Sequence, residues 1–160
     1  MNVCQFSPDR RHRYSLLHVM RPGGKRVAWI GLNPSTADEQ KLDPTLTRVR
    51  AFSLAHGFDE FVMLNLFSVR ATDPMKILAP LSGETSLAEN RKVLHSVCRG
   101  SSAIVFAWGA THHQWVPKEV ETAWCRGQFD DALCLGRTKH GHPRHPLYVH
   151  GQTKLEPFNK

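Results

Sequence analysis

Arg26-Val27-Ala28-Trp29-Ile30-Gly31-Leu32-Asn33-Pro34-Ser35 decides the fold. Its apolar run reads as a buried strand, and the Gly-Leu-Asn-Pro-Ser that follows breaks the strand with a polar turn. The same pattern returns twice. Glu60 to Leu66 runs into Met63-Leu64-Asn65-Leu66-Phe67-Ser68-Val69-Arg70, and Ser102 to Trp108 runs into Phe106-Ala107-Trp108-Gly109-Ala110. A fourth cassette, His142-Pro143-Arg144-His145-Pro146-Leu147-Tyr148, lies near the end of the chain. Polar turns that follow parallel strands gather at one edge of the sheet, where open α/β sheets bind ligands.

Helical patterns separate these strands. Asp43 is placed to cap a helix with Pro44 at its first position, Leu46, Val49, Phe52 and Leu54 supply its apolar positions, and Gly57 stops it. Ser86 to Arg99 reads as a second helix with Leu87, Val93, Leu94 and Val97 inward, and Pro117 to Arg126 as a third. Asp131 to Gly136 reads as a short fourth strand. Upstream, Tyr14 to Met20 and the turn Arg21-Pro22-Gly23-Gly24-Lys25 predict a hairpin feeding the first buried strand. Alternating strands and helices favour a parallel sheet covered on both faces. The 160 residues, with no long linker and no internal repeat, predict a single domain over 1–160.

Composition narrows the partners. Twenty-one Lys and Arg against fourteen Asp and Glu give a formal charge of +7, which attracts phosphates without selecting a sequence. No apolar stretch is long enough to span a bilayer, and the charged start at Asp9-Arg10-Arg11-His12-Arg13 is unlike a secretory signal, so a cytoplasmic protein without a membrane partner is expected. Cys4, Cys98, Cys125 and Cys134 are widely separated and read as buried thiols, not as a zinc ribbon or disulfide framework. His112, His113, His140, His142, His145 and His150 invite a metal reading. Their irregular spacing without a regular carboxylate partner speaks against one, and neither metal nor cofactor is expected.

The four cassettes, in this order, carry a resemblance to the bacterial and phage family catalogued as domain of unknown function 1643 and, more distantly, to the uracil-DNA glycosylase superfamily. The resemblance runs roughly from Arg26 to Tyr148. Gly31-Leu32-Asn33-Pro34 is similar to a Gly-x-Asp/Asn-Pro motif, and Met63 to Arg70 to a Leu-Leu-Asn-x-x-Leu-Thr-Val-Arg motif. Ala107-Trp108-Gly109 is similar to a Leu-Trp-Gly strand end, and His145-Pro146-Leu147 to a His-Pro-Ser-Pro-Leu loop that here lacks its Ser-Pro. The resemblance implies a three-layer α/β/α sandwich around a central, mainly parallel four-stranded sheet, here preceded by an N-terminal hairpin. It also implies Asn33 where the uracil-specific enzymes carry a base-activating Asp, and an Asn cannot take up a proton at neutral pH.

On this reading the chain binds a nucleobase or nucleotide and processes an N-glycosidic bond, with DNA preferred to RNA as partner. Asn33 would hold the water and His145 would donate to the oxyanion developing on the departing base. Gly31, Pro34, Ser35, Asn65, Phe67, Trp108 and Gly109 would form the base pocket, with Asn65 on the base edge and Phe67 stacked on it. Arg48, Arg70, Arg137, Lys139 and Arg144 would contact phosphates. Each assignment has a plainer counterpart. Asn33 stabilises its own turn, Asn65 bonds nearby backbone, Phe67 and Trp108 pack, and the arginines are solvated or salt-bridged to Asp38, Asp43 or Asp73. Asp38, Glu39 and Asp43 likewise fit either a magnesium site or helix capping, with Thr36-x-x-Glu39 as a capping box. Two other functions stay open: a non-catalytic nucleic-acid-binding module, and a metal-dependent hydrolase of a phosphorylated substrate.

Overall fold

The computed structural model describes residues 2–71, 84–110 and 116–159, with only the backbone described for 84–86. The fold is built on β3 (Arg26–Gly31) and β4 (Glu60–Asn65), whose central residues are buried on both faces of the sheet. Such continuous apolar strands belong inside a parallel sheet. Here β3 pairs in parallel with β4 on one side and with β5 (Ala103–Phe106) on the other. The two-residue β6 (Leu133–Cys134) adds in parallel to β5.

The sheet is larger and more mixed than the expected four strands. Seven strands run in the order β1-β2-β4-β3-β5-β6-β7. The added strands, β1 (Asn2–Phe6) with β2 (Arg13–Val19) at one edge and β7 (Glu156–Pro157) at the other, all pair antiparallel. The expected hairpin also has different partners. β2 pairs with β1 and β4, and β4 lies between β2 and β3. Three backbone hydrogen bonds tie the start of β4 into that gap: Met20 and Arg21 donate their N–H to the Asp59 carbonyl, and Asp59 donates its own to the Lys25 carbonyl. A Cβ on Gly24 would overlap the Asp59 side chain, so a larger residue there would have to displace it.

Helix α1 (Pro44–Ala55) forms as its sequence dictates. The Asp43 carboxylate accepts the Leu46 N–H at 2.8 Å, Pro44 occupies the first turn, and Gly57 leaves the helix at φ +78°. Leu46, Val49 and Phe52 pack on the sheet face that carries Val27, Trp29, Phe61, Met63 and Val105. The Trp29 indole donates to Ser53 Oγ at 3.0 Å, tying helix to strand. Helices α2 (Glu84–Arg99) and α3 (Val116–Gln128) cover the other face, where Leu94, Cys98, Cys125 and Phe129 meet Ala28, Ile30, Val62, Leu64 and Phe106.

The expected capping box at Thr36 to Glu39 does not form, because no helix starts there. Asp38 instead accepts the backbone N–H groups of Gln40 and Lys41, closing its own turn, and Glu39 pairs with Arg10 at 3.0 Å. All four cysteines are free thiols. Burial pushes Cys98 up to about 12 and Cys4 up to about 11, so neither is a thiolate near neutral pH. Among the described residues no helix is long and apolar enough to cross a membrane.

Candidate functional site at the C-terminal edge of the sheet

The chain leaves β3 through α1 toward β4, and then reaches β5 on the opposite side of β3 through α2. Connections that depart in opposite directions open a crevice beyond the strand ends, and the first three cassettes lie there. Gly31 faces Asn65 across the β3–β4 pairing, and Ala107 donates its N–H to the Ile30 carbonyl at 2.8 Å. The first two turns are then zipped together: Leu66 donates to Gly31 and Phe67 to Leu32, each at 2.9 Å.

Gly31 lacks a side chain for a steric reason. A Cβ there would sit 2.5 Å from Met63 Cε and 2.8 Å from Asn65 Oδ1. Its place in the pattern therefore makes room for the Asn65 amide. That side chain is 2% exposed, and its Nδ2 is buried with no hydrogen-bond partner among the described residues. An unpartnered buried donor costs roughly 1–3 kcal/mol. Asn90 of α2, also 2% exposed, gives its amide to the Asn65 and Leu66 carbonyls at 2.9 and 3.1 Å and fixes the strand end from the opposite face.

Asn33 is half-buried in the turn after β3. Its Nδ2 donates to the Ala71 carbonyl at 2.8 Å and to the Pro34 carbonyl at 3.1 Å, which sets the amide orientation and leaves Oδ1 as its remaining acceptor. Pro34 is buried and takes a second donor, the Ala71 N–H, while Ser35 is half-buried beside it. The first cassette is thereby locked to the residues that end the second.

The third and fourth cassettes meet at Gly109. Its φ is +71°, and a Cβ would lie 3.1 Å from His145 Cβ, so glycine is required both for the turn and for the approach of His145. His145 caps a 3₁₀ turn, Pro146–Tyr148, with Nδ1 accepting the Leu147 N–H at 3.3 Å. A ring nitrogen that accepts carries no proton, so in the neutral ring the proton sits on Nε2 and that nitrogen is a donor. Burial lowers the His145 pKa, opposed by the Asp43 carboxylate, which favours the neutral ring.

The remaining residues expected at the site divide sharply. Trp108 packs on the α2 and α3 face, with its ring 4.5 Å from Phe106, away from Asn65 on the α1 face; its Nε1 is a second unpartnered buried donor among the described residues. Phe67 is 1% exposed within the same core cluster, so its ring is covered. Arg48 stitches the fourth cassette to α1, donating to the Pro146 carbonyl at 3.3 Å and the Val149 carbonyl at 2.5 Å. Arg137 donates to the Phe158 carbonyl and Arg144 to the Arg137 carbonyl, both at 3.2 Å, within the hairpin that leads to His145; Lys139 is exposed at its tip. Arg70 lies at the end of the second cassette, with its N–H on the Arg11 carbonyl at 3.0 Å.

Lys118 was not expected in the site. Fully buried in the first turn of α3, it donates to the Gly109 carbonyl at 3.2 Å, and burial lowers its pKa. Its signal lay in the helical stripe it shares with Glu121, Thr122 and Cys125, all buried. Among the described residues no three His, Cys, Asp or Glu side chains converge on a metal-binding geometry, and His112 and His113 lie outside those residues. A cavity of about 580 Å³ lined by His95, Cys98, Ser102 and Phe129 opens at the other end of the sheet, away from all four cassettes.

Fold and site together define an α/β protein with a candidate ligand site beyond the C-terminal ends of its parallel strands. The family model described as "Protein of unknown function (DUF1643)" matches residues 13–147, and the chain belongs to that family. No curated protein and no solved structure matches it.

Proposed function

We propose that the protein binds a nucleobase within DNA, with processing of its N-glycosidic bond as the chemistry of the site, on a three-layer fold of the uracil-DNA glycosylase kind. The observation that carries the reading is the buried, unpartnered Nδ2 of Asn65 beside Gly31. A donor with no partner is suited to the acceptor edge of a base turned out of its stack, which would reach Nδ2 only once the side chains covering Asn65 shift. Asn33 and His145 supply the rest. Oδ1 of Asn33 is the acceptor that would hold a water, and Nε2–H of His145 is the donor for negative charge developing on the departing base. No base activates the water at Asn33, so the mechanism relies on stabilising the leaving base.

Oligonucleotides carrying uracil, mismatches and modified bases test this directly. Base release is expected, and His145→Ala should slow it by about 10²–10³-fold if that donor meets the oxyanion. Neither release nor binding on any of these substrates would overturn the proposal. The amide at position 33 in place of a carboxylate also favours a second reading, a binding module without turnover. It would show as binding that weakens steeply with salt and releases no base.

A further inference from the structure

We propose that Arg13 and Arg70, where the β2 strand meets the second cassette, form a phosphate-binding subsite. The two arginines are brought together by backbone pairing. Arg13 donates its N–H to the Ser68 carbonyl at 2.9 Å, Arg70 donates to Arg11 at 3.0 Å, and His12 and Val69 form the bridge between them.

Arg13 is 2% exposed, and its Nη1 is bonded to the Ala37 carbonyl at 2.6 Å while its Nε has no partner among the described residues. Arg70 repeats the pattern. Its Nη1 makes a long 3.4 Å contact to the Arg10 carbonyl, its guanidinium stands 5.1 Å from the centre of the Phe6 ring, and its Nε is buried without a partner among the described residues.

Among the described residues the nearby carboxylates have other partners: Glu39 pairs with Arg10, Asp38 closes its own turn and Asp43 caps α1. Among the described residues neither Arg13 nor Arg70 has a carboxylate within ion-pair distance. Buried charge in proteins is paired, and arginine cannot relieve the cost by losing its proton.

Two guanidinium groups left with open donors therefore call for an anion, and their planar forks match phosphate oxygens. Arg70 is half-buried and Arg13 is buried, so solvent reaches the pair at Arg70. Nucleic-acid binding is needed only to name the phosphate's source; phosphate capture stands by itself.

Thermal unfolding and isothermal titration with inorganic phosphate, at constant ionic strength against chloride, provide the test. Phosphate should raise the melting temperature of the wild-type chain, and Arg70→Gln should weaken phosphate binding at least tenfold. Arg21→Gln is the control for net charge, because Arg21 pairs with Asp59 at the opposite end of β4. It should bind phosphate as the wild type does. Arg13→Lys addresses the buried partner if the chain folds, and Arg70→Gln carries the test if it does not.

A 5′-mononucleotide and a base-free sugar-phosphate oligomer then distinguish a terminal phosphate from a phosphodiester as the natural occupant. Equal affinity of Arg70→Gln and wild type, or stabilisation by phosphate no greater than by chloride, overturns the subsite. Phosphate capture without nucleobase recognition would retain it while removing the function proposed above.

Discussion

Replacing Gly109 by alanine should break the join between the third and fourth cassettes, and Gly57 offers an internal control. Both glycines sit in the left-handed region, at φ +71° and +78°. An L-residue there costs roughly 1–2 kcal/mol. A Cβ at Gly57 meets nothing within 4 Å, whereas one at Gly109 meets His145 Cβ at 3.1 Å, closer than ordinary contact. Gly57→Ala should therefore cost the backbone term alone, lowering the melting temperature by roughly 2–8 °C for a chain of this size. Gly109→Ala should cost that and more, and should push His145 out of position by several tenths of an ångström. Displacements of about 1 Å at a reacting group can cost about 100-fold in rate, so oligonucleotide processing should fall in Gly109→Ala and persist in Gly57→Ala. Thermal unfolding and a base-release assay on both variants decide the matter. Equal stability loss and equal activity in the two would refute the claim that Gly109 seats His145.

Ser53→Ala should strand the Trp29 indole N–H in the core, where both residues are fully buried, and destabilise the fold by about 2 kcal/mol in urea unfolding. Acid should weaken the protein before its carboxylates protonate. His12, His18, His142 and His145 all have pKa values held below 6.5, chiefly by burial, so the folded state keeps them neutral. The unfolded chain then binds more protons as pH falls, and stability present above about 6.5 is lost toward their lower folded values. Urea midpoints should decline from pH 7 to pH 5, and a flat profile over that range would contradict the assignment.

Legibility in the sequence followed the range of the forces involved. β3, β4 and α1 could be read because their signals are local: continuous apolar runs buried on both faces, and an Asp-Pro start with a Gly stop. The pairing of β2 with β4 had no local signal. It joins Leu16–Val19 to Glu60–Met63 and sets Asp59 against Met20 and Lys25, which lie far before it in the chain. β1 reads poorly because Val3 and Gln5 face solvent at an edge, and β7 because it is two residues long. The cassettes were legible as a set, while the roles of their members were not. Arg48 has the type and location of a phosphate contact, yet it holds the Pro146 turn, and Phe67 has the type of a stacking ring yet lies in the core. Asn90 and Lys118 are polar residues on otherwise buried helical stripes. Their position on the stripe was the available clue, but which carbonyls they hold depends on tertiary contact.

In the proposed function, Asn65 keeps a buried donor for a nucleobase. Side-chain amide resonances of Asn65, followed by NMR while nucleosides and base-containing oligonucleotides are titrated, address it most directly. A nucleobase should shift the Asn65 Nδ2 protons strongly and slow their exchange, and Asn65→Ala should abolish binding of the base while the chain stays folded. Binding that leaves the Asn65 amide unshifted, or that survives Asn65→Ala unchanged, would contradict it.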